Sequence, residues 1–260
     1  MEFINDMQRA LQQYGPQYLE GARNTLILAL VGTIIGCLIG FVVGTIQSTP
    51  LPKSKGKRTL MYLVRGILRA YVELFRGTPM IVQSVFIYYG AFYLGSGFSS
   101  PWSAGIIVVS INTGAYMAET VRGGILSIDP GQTEGAKAIG MTHTQTMVNV
   151  ILPQALRNII PQIGNNFIIN IKDTSVLSVI SFADLFFVHK SVSGSLYLYF
   201  PSAVITMVIY LTMTLLASFL LRRWEAYLAG DDNYEVLNKP NDTLEQTSGL
   251  YRAKTRRGNP

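Results

Sequence analysis

The chain has 260 residues, of which 49% are hydrophobic and only 14% are charged, with a formal net charge of +6. Soluble domains carry charge at about a quarter of their positions, so this composition excludes an ordinary soluble domain and indicates a membrane protein. Nucleic acid is therefore not an expected partner. The single Cys37 excludes an intrachain disulfide, and no HExxH or CxxC spacing predicts a metal site.

Long uncharged stretches predict membrane-spanning helices. Residues 24–46 carry no charge and, at about 1.5 Å per residue, can cross a hydrocarbon core of about 30 Å. The uncharged stretch that follows Arg76 is too long for one crossing and is interrupted by GSGFSSP, so it predicts two spans. We predict an all-α, polytopic membrane protein with about five transmembrane helices within 24–228. The predicted spans are 24–46, 77–95, 102–121, 155–188 (bent and polar on one side) and 191–221 (helical from about Pro201).

The positions of Lys and Arg predict the orientation. Basic residues are frequent between spans one and two, between spans three and four, and after span five, and they are scarce in the other connections. The positive-inside rule then places the amino terminus outside and the carboxyl terminus in the cytoplasm. Residues 1–23 form an external segment that lacks the pattern of a cleaved signal peptide. We expect 229–260 to be a disordered cytoplasmic tail, preceded by Arg222 and Arg223 at the lipid headgroups.

The connection at 129–153 has the sequence pattern of two capped helices. Asp129 is placed to cap the first helix, and Gly140 is placed to end it in a left-handed conformation. Thr142 and Gln145 form a capping-box pattern that opens a second helix, which runs to Pro153. The pattern predicts a short helix-turn-helix that projects into the cytoplasm.

The first of these helices carries a small-residue surface. Gly135 and Ala136 lie between Glu134 and Lys137 and leave a shallow patch that a partner could approach closely. Packing of this connection against its own bundle explains the pattern equally well.

These residues resemble the Glu-Ala-Ala loop of permease subunits of bacterial ATP-binding-cassette importers. The family pattern of Glu-Ala-Ala, three residues, Gly, nine residues, Ile, one residue and Leu-Pro is kept in its spacing, with Gly135 replacing Ala and Val150 replacing Ile. The stretches 73–83 (ELFRGTPMIVQ) and 172–180 (KDTSVLSVI) are similar to the polar amino acid branch of that family. The resemblance covers about residues 20–228.

The resemblance implies a subunit of the bacterial cytoplasmic membrane that works in an assembly. Its implied partners are a second permease copy or a paralogue, two ATPase subunits and an extracytoplasmic solute-binding protein. The loop from Asp129 to Met141 would be the coupling helix that docks on the ATPase. The chain has no G-x-x-x-x-G-K-[ST] motif, so we expect no bound cofactor and no enzymatic activity of its own, with ATP hydrolysed by the partner. The implied coupling residues are Asp129, Glu134, Gly135, Ala136, Gly140, Leu152 and Pro153.

Polar residues within the predicted spans are candidates for the substrate pathway. A charge at bilayer depth costs about 3 kcal/mol, so these groups must face protein or water. The alternative is that they only pair or hydrogen-bond across helices and hold the bundle together. A helical break is expected beside Thr174 and Ser175. The candidate pathway residues are Arg76, Thr78, Gln83, Asn112, Glu119, Asn166, Lys172, Asp173 and Ser175.

The leading functional hypothesis is a permease subunit that moves polar amino acids by alternating access, driven by partner ATPases. The alternative is an ion-driven secondary transporter of small polar solutes, which the absence of a detectable inverted repeat disfavours. A polytopic membrane enzyme is a weaker third hypothesis, because neither a metal motif nor a plausible pair of catalytic carboxylates is present.

Overall fold

The computed structural model describes residues 2–52, 54–98 and 100–229, and the side chains of 228 and 229 are not described. Over these ranges the regular structure is entirely helical, so the predicted all-α class is confirmed. A π-helical segment, Met147–Ile151, precedes α7, and a 3₁₀ segment, Thr174–Ile180, follows it. The helices are α1 (Glu2–Ser48), α2 (Lys55–Gly77), α3 (Met80–Tyr93), α4 (Pro101–Leu126), α5 (Pro130–Ala138), α6 (His143–Thr146), α7 (Leu152–Asp173), α8 (Leu185–Leu196) and α9 (Tyr199–Ala229).

A row of glycines on α1 packs directly against α4. A Cβ atom added at any of these glycines would overlap atoms of α4, which shows how closely the two backbones approach. Small residues at four-residue spacing allow such an approach in membrane helices. The residue numbers of the facing pairs rise together, so α1 and α4 run parallel. The pairs are Gly32 with Val109, Gly36 with Thr113, Gly40 with Met117, and Gly44 with Val121.

Within the described ranges, α3, α7 and α9 also run between the two ends of the bundle. The short connection 94–100 joins α3 to α4, so α3 runs antiparallel to α4. The α7 helix is also antiparallel to α4, because Ile159 lies against Gly124 while Asn170 reaches Thr113. The α9 helix then runs in the direction of α1. The start of α1 and residues 94–98 therefore lie at one end of the bundle, and α5 lies at the other.

The first helix is longer than the apolar run predicts. It begins at Glu2 and continues for 47 residues, about 70 Å at the usual helical rise. The stretch 2–23, predicted as an external segment, extends the same helix. Its Ala10 and Tyr18 are buried in a cluster that includes Leu185 and Val192 of α8 and Ile205 of α9. A search for uncharged runs misses this extension because charged residues, from Glu2 to Arg23, interrupt it.

The helix of span two, predicted at 77–95, is α3, which begins three residues later and ends two residues earlier. The chain forms α2 and α3 with a break at Thr78 and Pro79, and α2 occupies much of what was taken as a loop. Because α3 has 14 residues, about 21 Å, it is too short to cross a hydrocarbon core of about 30 Å without part of α2. Within the described ranges, α1, α4 and α9 are each long and apolar enough to span a membrane.

The later spans agree in part with their predictions, since 185–188 of span four and 191–196 of span five belong to the separate helix α8. The α4 helix matches span three. The helix of span four gives way at Asp173 to the 3₁₀ segment, so the expected break beside Thr174 and Ser175 is confirmed. The α9 helix covers span five from Tyr199, slightly before Pro201. The predicted disorder beyond Ala229 falls outside the described residues.

Candidate coupling surface and translocation residues

The α5 helix has the ends that its sequence predicts. The Asp129 side chain accepts a hydrogen bond from the Gly131 amide at 2.6 Å. At the other end Gly140 has a φ of +83°, and its amide donates to the Lys137 carbonyl at 3.0 Å. The Met141 amide donates to the Ala136 carbonyl at 3.0 Å, which completes the usual glycine-terminated helix end. These bonds fix the direction in which the chain leaves α5.

The predicted capping box is also present, but the second helix does not end at Pro153. The Thr142 amide donates to Oε1 of Gln145, and the Gln145 amide donates to Oγ1 of Thr142. The helix then widens into the π-helical segment and continues as α7. Proline cannot donate a backbone hydrogen bond and crowds the preceding turn, and a π turn relieves that conflict. The predicted helix-turn-helix is therefore present, but its second helix is not short, because it continues through the π-helical segment into α7.

The surface of α5 is only partly open to a partner. Gly135 and Glu134 are exposed, and a Cβ at Gly135 would meet no other atom within 4 Å. Ala136, which was predicted to share the shallow surface, is only 6% exposed, so its methyl group is buried within this chain. Leu152 packs on a buried cluster that includes Ile151, whereas Pro153 is exposed. The loop thus packs on its own bundle and still presents an outer face.

Two candidate pathway charges belong to an ion cluster on α2 and α4. Oε2 of Glu119 lies 2.7 Å from Nη2 of Arg122 and 3.9 Å from Nη1 of Arg76. The Arg76 guanidinium also lies over the Tyr116 ring, 5.6 Å from its centre. Sequence reasoning missed Arg122, although its three-residue spacing from Glu119 was a visible signal. Glu119 is therefore compensated by two cations.

The amide candidates hydrogen-bond within the bundle. Gln83 and Asn112 bond to each other and to the backbone at the break between α2 and α3. Asn166 donates to the Gln162 carbonyl at 2.9 Å and approaches Sδ of Met117 at 3.3 Å. These contacts match the alternative in which polar side chains connect helices.

Asn170 is the amide with the strongest structural role. It is buried, and its Nδ2 atom donates to Oγ1 of Thr33 at 2.8 Å and to Oγ1 of Thr113 at 3.0 Å. This one side chain joins α1, α4 and α7, and it also explains why both threonines can be buried.

Lys172 and Ser175 line a cavity of about 490 Å³ formed with α8 and α9. Most of its wall is apolar, with Thr206 and Tyr210 among the polar contributors. Asp173 is exposed and lies outside this lining, so its place in a pathway stays a prediction.

The predicted pathway residues therefore do not form one site. Arg76 and Glu119 lie in the ion cluster, and Lys172 and Ser175 line the cavity. Thr78, Gln83 and Asn112 lie at the α2–α3 break, and Asn166 and Asp173 belong to none of these groups.

Apolar helices of membrane-spanning length, with the exposed helix α5 between α4 and α7, define a polytopic membrane protein. The model of the family described as "Binding-protein-dependent transport system inner membrane component" matches residues 40–229. The chain belongs to this family.

Relatives and solved structures agree with that assignment. The glutamine transport system permease protein GlnP of Escherichia coli (strain K12) is 36% identical over 217 residues, 81% of this chain and 92% of its own length. The L-cystine transport system permease protein TcyB of Bacillus subtilis (strain 168) is 38% identical over 174 residues, 64% of this chain and 73% of its own length. A chain in the crystal structure of an amino acid ABC transporter with histidines superposes with a TM-score of 0.74 at 36% identity, covering 84% of this chain and 97% of that one.

Proposed function

We propose that this chain moves polar amino acids across the bacterial cytoplasmic membrane as the permease subunit of an ATP-driven importer. The observation that carries the proposal is the likeness, at 36% identity and over 84% of the chain, to a chain in the crystal structure of an amino acid ABC transporter. The relatives named for glutamine and L-cystine transport support polar amino acids as the substrate class. Family membership disfavours the alternative of an ion-driven secondary transporter.

The proposed orientation has the amino terminus outside and α5 in the cytoplasm. The start of α2 carries Lys55, Lys57 and Arg58, all exposed, and it follows directly after α1 reaches the end of the bundle where α5 lies. Basic residues are retained on the cytoplasmic side of a membrane. The same rule places the external loop 94–100, which contains no Lys or Arg, on the opposite side.

The proposed partners are a second permease subunit, two ATPase subunits and an extracytoplasmic solute-binding protein. The exposed face of α5 supports docking of an ATPase there. Gly135 permits close approach of a partner backbone, Glu134 offers a charge, and Ile139 is 79% exposed at the end of the helix. A partner that covers Ile139 would remove its apolar surface from water, which favours association.

The proposed pathway includes the cavity beside Lys172. A zwitterionic amino acid needs a cation for its carboxylate and polar groups for its amine and side chain, and Lys172, Ser175 and Thr206 supply such groups at one cavity. An ammonium group and a carboxylate form charge-assisted hydrogen bonds that are stronger than neutral ones. We propose that the carboxylate of the substrate passes close to Lys172.

Reconstitution tests this function. The permease, its candidate ATPase and its candidate binding protein are placed in liposomes, and uptake of a panel of amino acids is measured with and without ATP on the side of the ATPase. We expect uptake that requires both ATP and the binding protein and that favours polar amino acids. Uptake that depends on an ion gradient and ignores ATP would overturn the proposal in favour of the secondary transporter.

A further inference from the structure

The break between α2 and α3 leaves backbone carbonyls without their helical partners. In a continuous helix the Phe75 carbonyl would accept a hydrogen bond from the amide of residue 79, but Pro79 has no amide hydrogen. An unpaired carbonyl within the bilayer costs several kcal/mol, so something must replace that bond. The replacement is therefore an energetic requirement of the break.

Gln83 supplies the missing donor. Its Nε2 atom lies 2.9 Å from the Phe75 carbonyl, 2.8 Å from the Thr78 carbonyl and 2.9 Å from Oγ1 of Thr78. Oγ1 of Thr78 in turn donates to the Leu74 carbonyl at 2.8 Å. The side chain of Gln83 is folded back over the break and is only 6% exposed. One amide group thus joins the last turn of α2 to the first turn of α3.

Asn112 connects this arrangement to α4. Its Nδ2 atom donates to Oε1 of Gln83 at 2.9 Å and lies 3.3 Å from the Phe75 carbonyl. The oxygen of the Gln83 side-chain amide accepts a hydrogen bond from Asn112, and its nitrogen donates to backbone carbonyls. Both ends of the amide therefore have partners, and its orientation is fixed. Tyr71 adds a further bond from α2 to α4, from its hydroxyl to the Ile111 carbonyl at 2.7 Å. The break is tied to the rigid α1–α4 pair.

We propose that Gln83 is a positioning residue that locks the α2–α3 break and fixes it to α4 through Asn112, and that it does not contact the substrate. This replaces the pathway role predicted for Gln83. A locked break makes α3 and α4 move as one body, so a loosened break should reduce the rate of the conformational cycle without changing substrate affinity. The transport part of this inference rests on the proposed function, whereas the lock itself can be measured without substrate.

Hydrogen exchange on the full chain in lipid nanodiscs tests the lock. The amides of Val82 and Gln83 donate to the Pro79 carbonyl at 3.0 and 3.1 Å, and they report opening of the first turn of α3. We expect Gln83→Met, which keeps the length of the side chain and removes its amide, to speed exchange in this turn at least tenfold. The control is Ser84→Ala. Among the described residues, the buried Ser84 hydroxyl bonds only to the Met80 carbonyl one turn back, so the exchange rate should change less than twofold.

A second variant keeps the test decisive if Gln83→Met does not fold. Thr78→Val is nearly isosteric at an exposed position and removes the hydroxyl that Gln83 contacts. We expect the rate of amide hydrogen exchange in the same turn to increase about threefold. The exchange rates of peptides from α1 and α7 should not change. Unchanged exchange in the break for whichever of these variants folds would overturn the lock.

Uptake kinetics in the reconstituted assembly separate a positioning role from substrate contact. For Gln83→Met we expect the maximal rate to fall at least fivefold while the half-saturating concentration and the ranking of amino acids stay the same. An altered ranking or a raised half-saturating concentration would overturn the positioning role. Failure of the wild-type assembly to transport amino acids would instead count against the proposed function. The hydrogen-exchange result would still show whether Gln83 stabilises the α2–α3 break.

Discussion

Gly40 of α1 lies so close to Met117 of α4 that a Cβ atom at residue 40 would overlap the Met117 side chain, and it would also come within 2.8 Å of the Ala118 amide nitrogen. Gly36 and Gly44, one turn before and one turn after Gly40, also approach α4 so closely that an added Cβ atom would overlap it. Because lipid provides no hydrophobic drive for helices to associate, such close packing is what holds membrane helices together. The α1–α4 pair is therefore the rigid frame against which the other helices are placed.

We expect Gly40→Ala to destabilise the protein by about 1 to 3 kcal/mol, the usual cost of forcing an extra methyl group into a packed interior. This should happen even though Ala is favoured over Gly in a helix by about 1 kcal/mol. The measurement is the free energy of unfolding in detergent, monitored by circular dichroism.

The matched control for that variant is Gly66→Ala in α2. A Cβ at Gly66 meets no atom within 4 Å, so only the helix preference remains. We expect unchanged stability or a gain of up to about 1 kcal/mol. Equal effects of the two substitutions would contradict the close packing of α1 on α4.

The sequence predicted the elements whose signals are local. The Asp129 cap, the left-handed Gly140 and the capping box of Thr142 and Gln145 all depend on neighbours within a few residues, and each was predicted correctly. The break after Asp173 was also visible, because adjacent charged and hydroxyl side chains interrupt an otherwise apolar run there. Family membership could likewise be inferred from the spacing of a short loop.

The parts that failed depend on distant contacts. Whether Ala136 faces a partner or its own bundle depends on where α5 meets the rest of the chain, and the local pattern is the same in both cases. The uncharged-run criterion missed α2 altogether, because it does not detect an amphipathic helix that carries several charges. The pairing of Gln83 with Asn112 links positions 29 apart and requires the fold to be known. Even the glycine row, visible at four-residue spacing, did not reveal which helix it faces.

The orientation can be tested with single cysteines in a background in which Cys37 is replaced by serine. Ser96 and Ser54 are both exposed and lie in the connections after α3 and before α2. We expect Ser96→Cys to react with an impermeant thiol reagent in intact cells and Ser54→Cys to react only after the membrane is opened. Labelling of Ser54→Cys from outside would invert the proposed topology.

The docking role of α5 predicts a strong effect of bulk at Gly135. The Gly135→Trp side chain points into open space within this chain, so folding and membrane insertion should be normal. It would, however, occupy the surface that the ATPase approaches. We expect ATPase binding to weaken at least tenfold, which corresponds to about 1.4 kcal/mol. The affinity for the candidate ATPase is measured by copurification, followed by titration in detergent.

The matched control for Gly135→Trp is Gly194→Trp in α8. Gly194 is also an exposed helical glycine with no atom within 4 Å of a Cβ, and it lies towards the other end of the bundle. ATPase binding should be the same as in the wild type. If Gly135→Trp also binds normally, the ATPase does not dock on this face of α5. Ala136 is unsuitable for the test, because its burial would confound docking with folding.

Lys172 provides the test of the proposed pathway. The cavity that it lines also contains Thr206, and a carboxylate held there would lose a charge-assisted hydrogen bond in Lys172→Met. Loss of such a bond costs about 1.5 to 3 kcal/mol, so we expect the half-saturating concentration for uptake to rise by about 10- to 100-fold. The identical substitution Lys190→Met, at an exposed position of α8 outside the cavity lining, should change it less than twofold. Both variants are compared at equal amounts of assembled transporter, so that a loss of folding is not mistaken for a loss of affinity. A half-saturating concentration for Lys172→Met that matches the wild type would remove Lys172 from the pathway and leave the ion cluster around Glu119 as the remaining cationic surface for the substrate.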